Sequence, residues 1–189
     1  GNRVEADGES YDQRGRRVDP TTYVRSALSG KVVEDDVRDR QYTRATGERV
    51  AQAFKDNTVV MPTQLVSYVL FEVMRRRYPR WDVYRLLRMA QEEVVSWEQV
   101  RAGVAALLDV LKLKAERGEL VLSDFVVRER PQRVAEAGVE YLRMFHLPEP
   151  VDFHPDGVVL NRLELVYFYG NRLRSYALDD EAWLARVPR

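Results

Sequence analysis

The chain has 189 residues, enough for one domain with a substantial core, and its 30 basic residues are matched by 30 acidic ones. That balance leaves no domain-wide basic field to attract nucleic acid. The absence of cysteine excludes disulfides, thiolate metal sites and cysteine nucleophiles together.

Residues 1–36 are polar and punctuated by Asp7-Gly8, Arg14-Gly15, Asp19-Pro20 and Ser29-Gly30, with only short apolar pieces at Thr22-Tyr23-Val24 and Lys31-Val32-Val33. They read as an extended arm with one or two short strands. The missing initiator Met suggests a segment of a longer polypeptide, with this arm as the end of an upstream domain. Residues 37–189 then read as one helical domain. Its first helix is expected over 37–55, with Tyr42, Ala45, Val50, Ala53 and Phe54 on its apolar face.

The densest apolar run is Asn57 to Arg77, which predicts a central helix opened by Pro62 or Thr63. Leu65, Val66, Val69, Leu70, Val73 and Met74 recur at helical spacing, Tyr68 and Phe71 widen the stripe, and Gln64, Ser67 and Glu72 are left for water. Arg75, Arg76 and Arg77 end the run before the roughly 20 apolar residues that a bilayer span needs. No secretory signal is legible either.

Tyr78 to Trp81 predicts a corner, and Asp82 caps a short helix carrying Val83, Leu86, Leu87 and Met89. Ser96 with Gln99 forms a capping box and Val95 with Val100 a hydrophobic staple, so a helix is expected over 96–114, ending before Gly118. A strand over 119–127 follows. Pro131 then opens a helix facing inward through Val134, Gly138, Tyr141, Leu142 and Phe145. Residues 151–160 read as a hairpin turning at His154-Pro155-Asp156-Gly157. Asn161 with Glu164 repeats the capping box and Leu160 with Leu165 the staple, ahead of a helix over 162–177, and a last segment over 179–187 docks Trp183 and Leu184. The fold class expected is α+β and predominantly α: a helical domain with a short strand and a β-hairpin, preceded by the polar arm.

Little chemistry is written in these residues. His146 and His154, the two histidines, lie in turn contexts without a second histidine or a carboxylate at metal-ligand spacing, so both read as structural. No phosphate-binding glycine loop or nucleophile elbow occurs. Adjacent carboxylates Asp35-Asp36 and Glu92-Glu93 diverge and read as solvated or capping groups. No catalytic, cofactor or metal residue is assigned. One local basic cluster remains, Arg75, Arg76, Arg77, Arg80, Arg85 and Arg88. It reads either as a solvated helix end or as a docking patch for anionic lipid headgroups or an acidic acyl carrier.

Three stretches carry a resemblance: 35–60, DDVRDRQYTRATGERVAQAFKDNTVV; Pro62-Thr63-Gln64-Leu65-Val66; and 165–175, LVYFYGNRLRS. Together they resemble the C-terminal region of the large bacterial and mitochondrial glycerol-3-phosphate acyltransferases and their dihydroxyacetone-phosphate relatives. In that family an "N-T-V-V-x-P-T-x-L-V" helix follows the catalytic domain and an aromatic "Y-x-x-N-x-L" helix closes the region, a pattern carried here by Phe168 or Tyr169, Asn171 and Leu173. The resemblance implies an accessory domain of an enzyme of phospholipid synthesis, peripheral to the cytoplasmic face of a membrane and partnered by the catalytic half of its own polypeptide. The family's His-x-x-x-x-Asp pair is not in this sequence, because Val151 and Val159 stand five residues after the two histidines. Its Pro-Glu-Gly phosphate block is missing as well; Pro148-Glu149-Pro150 lacks the glycine. This segment alone is therefore expected to be inactive.

Two further readings compete. A winged-helix binding module would use 96–114 as its recognition helix, although Glu98, Arg101, Asp109, Lys112 and Glu116 give that helix a mixed-sign face poorly suited to DNA. The other is a plain helical interaction domain.

Overall fold

The computed structural model describes residues 3–4, 10–11, 14–18, 36–89, 92–178 and 180–189. The apolar pieces at 22–24 and 31–33 lie outside them. The chain divides into two units, Gly1–Lys55 and Asp56–Arg189.

In the first unit, β1 (Arg3–Val4), β2 (Ser10–Tyr11) and β3 (Arg17–Val18) form an antiparallel sheet in sequence order. Helix α1 (Asp36–Asn57) follows and runs two residues past the unit boundary. Its expected apolar face is not buried: Val50 is 46% and Phe54 71% exposed. The stripe there is thin, with charged residues interleaved between its members, and so removes little apolar area from water.

The second unit is built around α2 (Pro62–Arg77). Pro62 fits the first turn, where its missing N–H costs nothing, and the Gln64 side chain accepts from the Met61 amide at 3.2 Å. Leu65, Val66, Val69, Leu70 and Met74 are fully buried, each contributing about 2 kcal/mol by leaving water. Gln64, Ser67 and Glu72, expected at the surface, are buried too, at 7%, 0% and 2% exposure. Neighbours cover the helix all round: α4 (Trp97–Glu116), α6 (Pro131–Met144), α7 (Leu163–Gly170), the 3₁₀ turn Asn171–Tyr176 and α8 (Asp180–Leu184). Two glycines let neighbouring elements come close to the backbone of α2. A Cβ on Gly138 would sit 2.7 Å from the Pro62 carbonyl oxygen, and one on Gly170 would sit 2.8 Å from the Tyr68 amide nitrogen.

Helix α3 (Val83–Met89) is capped by Asp82, whose Oδ1 accepts from the Arg85 amide at 2.7 Å. At α4 the expected box is complete. Ser96 Oγ accepts from the Gln99 amide at 3.2 Å, and Gln99 Oε1 accepts from the Ser96 amide at 3.3 Å. Gly118 closes the helix in the left-handed region at φ 72°.

The strand expected over 119–127 shrinks to β6 (Val121–Leu122), parallel to β4 (Val59–Val60). Ser123 then caps a short helix, α5 (Asp124–Arg128), through its Oγ and the Val126 amide at 3.4 Å. That cap ends the strand. In α6, Val134, Gly138 and Leu142 face inward as expected, but Phe145 is 69% exposed because the helix stops at Met144. The hairpin β7 (Val151–His154) and β8 (Gly157–Leu160) forms around the expected turn. Strand β5 (Glu93–Ser96) adds to it in the order β5-β8-β7.

The box expected at Asn161 does not form. Asn161 Nδ2 donates to the Glu149 carbonyl at 3.3 Å, and Glu164 pairs with Arg162 at 2.7 Å. The helix expected over 162–177 is α7 plus the 3₁₀ turn. At the C-terminal end α8 docks Trp183, 1% exposed, as expected. The fold is α+β and predominantly helical.

Candidate functional site

Polar groups gather where α2 meets the 3₁₀ turn and the C-terminal segment. Glu72, on α2, is held by Arg75 at 3.0 Å one turn on and by Arg174 of the 3₁₀ turn. The Arg174 guanidinium also lies over the rings of Tyr68, Phe71 and Tyr167, at 5.7, 5.5 and 5.8 Å from their centroids. Burial pushes the Glu72 carboxyl above its ordinary range, against the pull of Arg174 and Arg75. Tyr68 donates to Asp180 Oδ1 at 2.7 Å, and Trp183 Nε1 donates to the same oxygen at 3.0 Å. Burial, then the bond to Asp180, raises the Tyr68 hydroxyl far above its usual value. This network ties α2, the 3₁₀ turn and α8 together. Its groups are held by one another, which suits bracing better than proton transfer.

The six clustered arginines do not act as one patch. Arg75 is engaged with Glu72. Arg76 donates to the carbonyls of Leu184, Val187 and Pro188 at 2.7, 2.9 and 2.6 Å. Arg77 pairs with Glu93 at 2.7 Å and donates to the Val94 carbonyl at 3.0 Å. Tyr78 also donates to Glu93, and that bond raises its hydroxyl above the ordinary range. Arg80, Arg85 and Arg88 are exposed, Arg85 lying 5.1 Å from the Trp81 ring centroid.

Both histidines have near partners, and His154 Nδ1 lies 3.6 Å from Asp156 Oδ2. His146 Nε2 is 2.8 Å from the Tyr169 hydroxyl, and His154 Nδ1 accepts from the Asp156 amide at 3.2 Å inside the hairpin turn. Among the described residues no group of three or more His, Asp and Glu side chains is placed to hold a metal ion. Nor is any helix among them long and apolar enough to cross a membrane.

The Glu72–Arg174 pair was not legible in the sequence, since 102 residues separate its members. The one signal available was an acidic residue within an otherwise apolar run. Comparisons with protein-family models, with curated proteins and with solved structures find no match for this chain.

Proposed function

We propose that this chain is the C-terminal accessory domain of a glycerol-3-phosphate acyltransferase, bracing a catalytic half that lies upstream in the same polypeptide. The observation that carries the reading is the meeting of the resemblance-bearing stretches. Pro62 to Val66 open α2, residues 165–175 lie in α7 and the 3₁₀ turn, and the two elements pack together with Gly170 against the Tyr68 backbone. Further along the same seam, Arg174 binds the buried Glu72. Residues far apart in sequence that carry the resemblance thus build one core contact. In such an enzyme the upstream half carries out acyl transfer from a thioester, with a histidine as general base and a carboxylate orienting it. This domain contributes stability and an outer surface. The exposed Arg80, Arg85 and Arg88 suit a peripheral anionic membrane surface better than the engaged Arg75, Arg76 and Arg77 do. Sequencing the reading frame upstream of Gly1 tests the proposal: a His-x-x-x-x-Asp motif is expected within a few hundred residues, and a frame without one overturns it.

A second reading has its own support in the topology. With the short α3, β6 and α5 set aside as insertions, helix α2, strand β5, helices α4 and α6 and the β7–β8 hairpin, with β5 on the hairpin's second strand, follow the order of a winged-helix module. In that order the helix before the wing is α6, so 96–114 is the second helix and not the recognition helix. The outer face of α6 carries Arg133, Glu136, Glu140 and Arg143, and Arg101 pairs with Glu136 at 3.3 Å. Such mixed charge on α6 favours a helix that contacts protein over one that reads DNA.

A further inference from the structure

A cavity of about 380 Å³ opens between α2, α4 and the end of the C-terminal segment, lined by Val73, Arg76, Arg77, Gln99 and Arg189. Among the described residues its lining contains three guanidinium groups and no carboxylate side chain, the α-carboxylate of Arg189 being the one acidic group there. Arg76 is fixed there by three backbone carbonyls, and Gln99 Nε2 helps by donating to the Pro188 carbonyl at 3.1 Å. No ion pair to a carboxylate is formed by Arg76 or Arg189 among the described residues, whereas Arg77 has Glu93. A guanidinium has five N–H donors. The bonds above occupy three on Arg76 and two on Arg77, which leaves donors on both.

We propose that this cavity is a binding site for a phosphate monoester, held by Arg76, Arg77 and Arg189 over the apolar floor of Val73. Three guanidinium charges, offset by the Glu93 carboxylate and by the α-carboxylate of Arg189, leave one net positive charge to meet an anion. Guanidinium forks match phosphate oxygens, and a group fixed before binding loses little freedom on contact. Burial and, next, the like charge of Arg189 both hold Arg76 below its ordinary range, a strain that an anion between them relieves. The proposal does not depend on the acyltransferase reading. Two sources share this chemistry, a free phosphate ester and the headgroup of phosphatidic acid.

The test is titration of the whole chain with inorganic phosphate at fixed ionic strength, following the arginine Nε–Hε signals by NMR, and sedimentation with phosphatidic-acid vesicles. Saturable shifts at Arg76 and Arg77 are expected. Arg189→Gln, a surface change that leaves the Arg76 contacts in place, should weaken phosphate binding about tenfold, the worth of one charge-assisted contact. Arg77→Gln should weaken it at least as much. Vesicle binding that falls with Arg189→Gln points to the lipid headgroup as the source, and phosphate binding alone points to a soluble ester. If the shifts do not saturate, or if Arg189→Gln binds phosphate as tightly as the parent, the site is refuted.

Discussion

Glu72 shows how far a residue's role can depart from its local context. In the sequence it is one of the few polar residues on the central helix, and a polar residue there belongs at the water. In the fold it is 2% exposed and is held in place by Arg75 and by Arg174, while Arg174 rests on three aromatic rings. A carboxylate in that position is stable only while its partners stay. Arg174→Met keeps an unbranched side chain over the rings but leaves Glu72 facing Arg75 alone, and should destabilise the fold by about 3 kcal/mol. The check is a urea denaturation series. The double variant Arg174→Met with Glu72→Gln should recover much of the loss, since no unpaired charge is then buried. A double variant no more stable than the single one would assign the loss to packing.

At the scale of elements, legibility followed the range of the interactions. The capping box at Ser96, the Asp82 cap, the turn at His154 to Gly157 and the glycine after α4 all act within a few residues, and each was readable. Strand β5 was not, because it forms only by pairing Glu93–Ser96 with Gly157–Leu160, about sixty residues away. Helix α5 was missed for the opposite reason: Val121, Leu122, Phe125, Val126 and Val127 look like a strand until Ser123 acts as a cap. Ser96→Ala should lower stability by about 1 kcal/mol, read as a shift of the denaturant midpoint. An unchanged midpoint would mean that Val95 and Val100, both fully buried, hold the helix start without the cap.

For the whole molecule, a predominantly helical α+β fold could be read from periodicity, and so could the central place of α2. The candidate site was harder, because the arginine run at 75–77 looks uniform in sequence. Helical geometry turns the three side chains to different neighbours: Glu72, the carbonyls of the C-terminal segment, and Glu93. The proposed function rests on the packing of α2 against α7 and the 3₁₀ turn, the elements that hold two of the stretches on which the resemblance is drawn. The most direct test is an acyl-transfer assay with glycerol 3-phosphate and an acyl thioester, run on this 189-residue chain and on the longer polypeptide that the proposal requires. Turnover by that longer polypeptide, with none above background from the chain alone, is the result the account predicts. Turnover by the chain alone that is lost on mutating His146 or His154, a folded longer polypeptide without activity, or a reading frame with no catalytic half would contradict it.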